Sequence, residues 1–152
     1  MPGFYCWAMG QAALIRDAVA ADAPAVALLL EQLGYPTEPA AAASRLERLG
    51  IVGDRVLVAD AGGEIVGLAH LQVTPALEHD RPAAKIGALV VDESRRGEGV
   101  GRALVDALDQ EARARGCGVL FLTTSAHRTD AHDFYRRVGL EETGKRFTKT
   151  LE

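Results

Sequence analysis

Three glycines at alternate positions, Gly97, Gly99 and Gly101, lie between an apolar run and a helical pattern. The run Leu89-Val90-Val91 ends in Asp92-Glu93-Ser94, and Val100, Ala103, Leu104, Ala107, Leu108 and Ala112 then recur at helical spacing. A strand that turns through glycines into a helix leaves N–H groups unpaired at the positive end of the helix dipole. Such a turn binds anions, and a phosphate is the usual guest. The candidate donors are the amides of Gly97, Glu98, Gly99, Val100, Gly101 and Arg102. Neither common nucleotide motif fits. No lysine follows the glycines as a Walker loop requires, and the sixth position counted from Gly97 is Arg102, where a dinucleotide fingerprint needs glycine.

A second constellation lies about thirty residues further on: Ala131-His132-Asp133-Phe134-Tyr135-Arg136-Arg137-Val138-Gly139-Leu140. The first motif, Arg96-x-x-Gly99-x-Gly101, resembles the Gln/Arg-x-x-Gly-x-Gly/Ala signature of the GNAT superfamily, the acyl-CoA-dependent N-acetyltransferases. The second resembles that family's Ala-x-x-Phe-Tyr-x-x-x-Gly-Phe hallmark and departs from it at Leu140, which keeps an apolar plug. Two motifs in the right order are far more specific than either alone. The resemblance runs from about Leu14 to the C-terminus.

The resemblance implies acetyl transfer from acetyl-CoA, as acyl-donor cosubstrate, to a primary amine of a small molecule or a protein. The glycine-loop amides would hold the pyrophosphate. Backbone N–H groups on Leu89, Val90 and Val91 would pair with the pantetheine arm and polarise the thioester carbonyl. Tyr135 corresponds to the family's general acid. A tyrosine hydroxyl, with a pKa of about 10, is protonated at neutral pH and can serve the departing thiolate. Asp130 would touch the distal part of the cofactor, Arg96 would add charge or serve the loop's structure, and Phe134 reads as a core aromatic beside the cofactor. Many relatives carry a glutamate base on the strand before the glycine loop. This chain has Lys85, Ile86, Gly87 and Ala88 there. His70, Glu78, His79, His127 and His132 are the remaining candidates, and His127, after the last buried strand, or a water chain is the preferred reading.

The elements that must position these groups follow from the apolar pattern. Ala13 to Ala18 forms a strand. Asp22 then serves as N-cap for a helix whose Val26, Leu29, Leu30 and Leu33 share a face and which Gly34 ends. A second helix covers Ala40 to Leu49 and stops at Gly50. Arg55 to Asp60 and Glu64 to Thr74 form a hairpin through Ala61-Gly62-Gly63. Ile86 to Val91 is a central strand, the next helix runs from the glycines to Arg115, and Val119 to Thr123 is a buried strand. Thr129 to Val138 is the last helix, and Phe147 to Leu151 closes the sheet. Tyr35, in the loop between the first two helices, is either a substrate-wall aromatic or a packing residue. The fold class is α/β: a GNAT-like mixed, mostly antiparallel sheet flanked by helices, with a splayed central strand pair. The domain reading is an arm of unknown role over residues 1–12, then a single N-acetyltransferase domain over 13–152.

Composition bounds the alternatives. The chain has 152 residues, 48% of them hydrophobic, enough for one sizeable core. A net charge of −4 argues against nucleic-acid and membrane partners. No signal peptide or spanning segment is recognised, so a cytoplasmic location is expected. Cys6 and Cys117 lack metal-ligand spacing, so no metal is expected, and Cys117 reads as a small core residue. A non-catalytic acyl-CoA sensor and a protein-interaction module using the N-terminal arm are the competing readings. The family resemblance also implies a possible homodimer, to which the Met1–Gln11 arm or the final strand would contribute.

Overall fold

The computed structural model describes residues 13–124 and 128–151, together with the backbone of 5–6. A six-stranded sheet runs in sequence order: β1 (Tyr5–Cys6), β2 (Leu14–Asp17), β3 (Arg55–Ala61), β4 (Glu64–Thr74), β5 (Ala83–Val91) and β6 (Val119–Leu122). Neighbours are antiparallel except β5 and β6, which are parallel. A parallel pair needs a crossover, and α3 (Val100–Ala114) supplies it. The short links elsewhere produce the meander. At Gly62 and Gly63, for example, φ values of +66° and +98° close the β3–β4 hairpin as expected.

Strand alternation sends apolar side chains to both faces. Leu57, Ala59, Ala69, Leu71 and Ile86 pack on one side with Ala103, Leu104, Ala107 and Leu108 of α3. Val58, Leu68 and Val90 pack on the other with Val26 and Leu29 of α1 (Ala23–Leu33) and Ala42 of α2 (Pro39–Ile51). Cys117 is a buried free thiol in the α3-side core. Gly34, at φ +106°, ends α1 with its N–H on the Glu31 carbonyl, while the Tyr35 N–H reaches the Leu30 carbonyl. Gln32, one turn earlier, cross-links to the turn after β5: its amide donates to Asp92 at 3.0 Å and its carbonyl accepts from the Glu93 N–H at 3.0 Å.

Several expectations are corrected. Asp22 does not cap α1 with its side chain. Its carboxylate is held bidentately by Arg16 at 2.8 and 2.9 Å and accepts the Val19 N–H at 2.8 Å, because a buried acid near an arginine gains more from that pairing than from a helix N–H. Helix α2 continues through Gly50 to Ile51. Strand β6 is an edge, not a buried strand: Leu120 and Leu122 pack inward while Val119 and Phe121 are exposed. No strand forms over Phe147–Leu151. Residues 140–151 have no regular structure, and Phe147 and Leu151 stand in solvent. Alternation alone does not make a strand, because the segment must also pair with a neighbour.

Candidate active site

The site is assembled where β5 leaves β6. Parallel pairing runs from Ala83↔Val119 to Ile86↔Leu122 and stops, whereas the antiparallel pairing of β5 with β4 continues to Val91↔Gly67. From Gly87 to Val91 the backbone groups of β5 that point toward β6 therefore meet no ladder partner among the described residues. This is the expected splay, with Leu89, Val90 and Val91 along it. Their side chains face the core: Val90 is buried on the α1 side, and Leu89 and Val91 pack on the α3 side. Thr124, two residues past the last β5–β6 pair, has the sole buried side-chain polar atom without a hydrogen bond among the described residues.

The chain enters the glycine turn through a 3-10 turn, Glu93–Arg95, capped by the Asp92 carboxylate on the Ser94 N–H at 2.9 Å. The Ser94 hydroxyl, which donates to the same carboxylate, then the Gln32 amide and the Ser94 N–H, hold the Asp92 carboxyl below its ordinary range. Gly99 is the N-cap of α3 at φ +86°, a left-handed conformation that side-chain-bearing residues rarely adopt. Gly97 has the same sign, at +83°. Gly101 is tight for a different reason: a Cβ there would lie 3.0 Å from Phe134 Cζ and 3.5 Å from Val91 Cγ2.

The charged side chains of this turn engage the protein. Glu98 pairs with Arg95 at 2.7 Å, Arg96 donates to the Val91 carbonyl at 3.2 Å, and Arg102 donates to the Arg137 carbonyl at 3.0 Å. Val100 is buried. The side chains of Glu98, Arg96 and Arg102 are thus tied to the protein, and the Arg96 bond to Val91 links the turn to the end of β5.

Helix α4 (Thr129–Arg137) brings the second motif alongside. Three ties hold it: the Phe134 ring against Gly101, the Arg102 bond to its C-terminus, and Arg128 donating to the Leu33 carbonyl at 2.9 Å. Phe134 is half-buried between α3 and Tyr135, whose ring meets it edge-on at 5.8 Å, so it is a spacer and not a core residue. Tyr135 is also half-buried, and desolvation raises its hydroxyl pKa against a smaller opposing pull from Arg128. The phenol is held in its proton-bearing form. Asp130 is exposed in the first turn of α4.

His127 lies outside the described residues. Glu78 and His79 are exposed in the loop between β4 and β5, and Tyr35 is exposed as well. His70 is the exception: its Nε2 is 2.8 Å from Asp54 Oδ2. The sequence reading named His70 without a partner, and missed Asp54 and Gln32 altogether. The signal for Asp54 was the hairpin, whose register pairs Val56 with His70 and so brings the residues preceding β3 beside the middle of β4.

The arrangement fits acetyl-CoA. A left-handed glycine turn opens a helix of 15 residues for phosphate, an unpaired β5 stretch offers an amide-bearing arm its hydrogen bonds, and Thr124, just past β6, has a buried hydroxyl without a partner.

Comparison with known proteins agrees. Residues 17–140 match the acetyltransferase (GNAT) family. The chain is 38% identical over 89 residues to an aminoalkylphosphonate N-acetyltransferase of Salmonella typhimurium, covering 59% of this chain and 58% of that one. It thus spans little more than half of that relative. It is 34% identical over 119 residues to a glucosamine 6-phosphate N-acetyltransferase of Trypanosoma brucei brucei, covering 72% and 78%. A crystal structure of a Trypanosoma brucei acetyltransferase is similar with a TM-score of 0.78 at 27% identity, covering 90% of this chain and 98% of that one. The fold and both motifs are those of an acyl-CoA-dependent N-acetyltransferase. The chain belongs to the GNAT family.

Proposed function

We propose that this chain transfers the acetyl group of acetyl-CoA to the primary amine of a small molecule that also carries an anionic group. The observation that carries the transferase reading is the junction of the left-handed glycine turn with the unpaired stretch of β5. The acceptor class rests on the two curated relatives, whose names give a phosphonate and a phosphate beside the amine.

Acetyl-CoA supplies the acyl group as an activated thioester. The amides from Gly97 to Arg102 bind its pyrophosphate, and the β5 main chain from Leu89 to Val91 orients its arm and polarises the carbonyl. Tyr135 donates its proton to the sulfur as the C–S bond breaks. Asp130 borders the distal end of the cosubstrate. Residues 13–152 act as one catalytic unit, with 1–12 an arm that adds β1 to the sheet edge. No helix among the described residues is long and apolar enough to cross a membrane, and the reading places the protein in the cytoplasm. A second copy covering the open edge of β6 would make a homodimer.

Release of free CoA thiol, followed across a panel of aminophosphonates, amino-sugar phosphates, amino acids and polyamines, tests the proposal. Acceptor-dependent release is expected, with kcat lowered about 10²-fold or more by Tyr135→Phe. Release from none of the panel would overturn the acceptor class. An unchanged kcat in the variant would remove Tyr135 from its role.

A further inference from the structure

The site as described has an acid but no group to take the proton of the incoming amine. His70 and Asp54 stand at the right place. His70 is on β4, on the same pleat face as Leu68, and its side chain is partly exposed. Asp54, whose side chain is only 8% exposed, accepts from Nε2 at 2.8 Å. An ionised carboxylate only accepts, so it fixes the hydrogen of the neutral ring on Nε2 and leaves the Nδ1 lone pair free.

That lone pair points to a particular spot. A Cβ added to Gly87 would lie 2.3 Å from Nδ1 and 2.9 Å from Cε1, so the ring edge sits where a side chain at position 87 would be. Gly87 is the extra residue of a bulge: His70 pairs with Ala88 and Leu71 with Ile86, leaving Gly87 unpaired. It is also exposed, and it is the first residue of β5 past the last pair with β6. The nitrogen therefore sits over Gly87, at the start of the splay. A base held by an orienting carboxylate beside a solvent-reached gap is the arrangement proton abstraction needs.

We propose that His70 is the catalytic base, with Asp54 as its positioning residue. This rests on the transferase reading above. The amine arrives as ammonium and gives one proton to Nδ1, which passes it to solvent. The amine nitrogen then bonds to the acetyl carbon and the C–S bond breaks. The sulfur takes the proton of Tyr135, and the tyrosinate regains one from the new amide nitrogen through water. The balance is one amide, one free thiol and one released proton per turnover.

The test compares wild type with His70→Gln, whose amide can still donate to Asp54. Each is assayed with one acceptor from the panel and with its hydroxylamine analogue, which is already neutral at the assay pH. CoA binding is measured separately by calorimetry. For the ammonium acceptor, kcat should fall about 10²- to 10⁴-fold, with CoA affinity unchanged. For the neutral analogue the loss should shrink to a few-fold. An equal loss for both acceptors would show a structural role, and no loss would show none; either overturns the proposal. If His70→Gln does not fold, Asp54→Asn keeps the ring and should show the same acceptor-dependent pattern at smaller amplitude. Equal losses there are equally fatal. A wild type that turns over no acceptor would fell the transferase reading and this inference with it, whereas an active wild type with an indifferent variant fells the inference alone.

Discussion

Gly87→Ala isolates the packing on which the site depends. The position has no left-handed φ, so alanine is compatible with the backbone. Alone, the change should stabilise the protein by about 0.4–1 kcal/mol, since it removes freedom from the unfolded chain. The structure opposes it. The new Cβ would sit 2.3 Å from His70 Nδ1, and ordinary contact begins at 3.4 Å, so the ring must retreat by about an ångström. A shift of that size breaks the 2.8 Å bond to Asp54 and strands a carboxylate that is 8% exposed. Leaving it unsatisfied costs about 1–3 kcal/mol, which exceeds the gain. The net loss should be about 1–2 kcal/mol, or roughly 2–8 °C in melting temperature for a chain of this length. In a His70→Ala background there is no ring to displace, and the same substitution should raise stability. Urea denaturation of wild type, both single variants and the double variant reads this as a change of sign. A destabilisation of equal size in both backgrounds would refute the argument, because the cost would then lie in the bulge itself and not in the ring above it.

Two further outcomes follow from the geometry. At Gly99, φ +86° makes any β-branched residue strained, so Gly99→Val should weaken CoA binding about tenfold or more by calorimetry, and Gly99→Asn, which tolerates that conformation, should bind better than Gly99→Val. Asp22 is held mainly by its hydrogen bonds from Arg16, and its carboxyl is depressed below the ordinary range. A depressed acid stabilises the fold fully above its unfolded value of about 4 and loses that contribution as pH falls through the lower folded value. Stability should therefore be flat with respect to this group near neutrality and decline below about pH 4. Asp22→Asn should cost about 3 kcal/mol at pH 7 and flatten the acid limb of the urea midpoint.

Much of this protein is legible without coordinates. The two motifs identified the family, and the glycines after Leu89-Val90-Val91 located the left-handed turn that opens α3, because a strand–glycine–helix junction is set by its own backbone. Gly34, the hairpin at Gly62-Gly63 and the bounds of β4 were likewise local matters of φ and pleat. The elements misread were those whose state depends on a neighbour. Val119 to Leu122 is apolar enough to be central, yet it is an edge because no strand lies beyond it among the described residues. Phe147 to Leu151 alternates like a strand but pairs with none among the described residues. Asp22 has the right type and position for a cap, and Arg16 takes it instead.

The site divides in the same way. The sequence by itself pointed to a glycine turn suited to an anion, to Tyr135 as a candidate proton donor and to the lack of a carboxylate over Lys85 to Ala88, since each is a matter of residue type and spacing along one segment. Only the tertiary structure decided what stands over Gly87. His70 and Asp54 are 16 positions apart and Gly87 is on another strand. They meet because one hairpin fixes the register of β3 on β4, and one extra residue in β5 opens room for an imidazole. Spacing within a segment cannot report such a meeting, because it is set by pairing between strands.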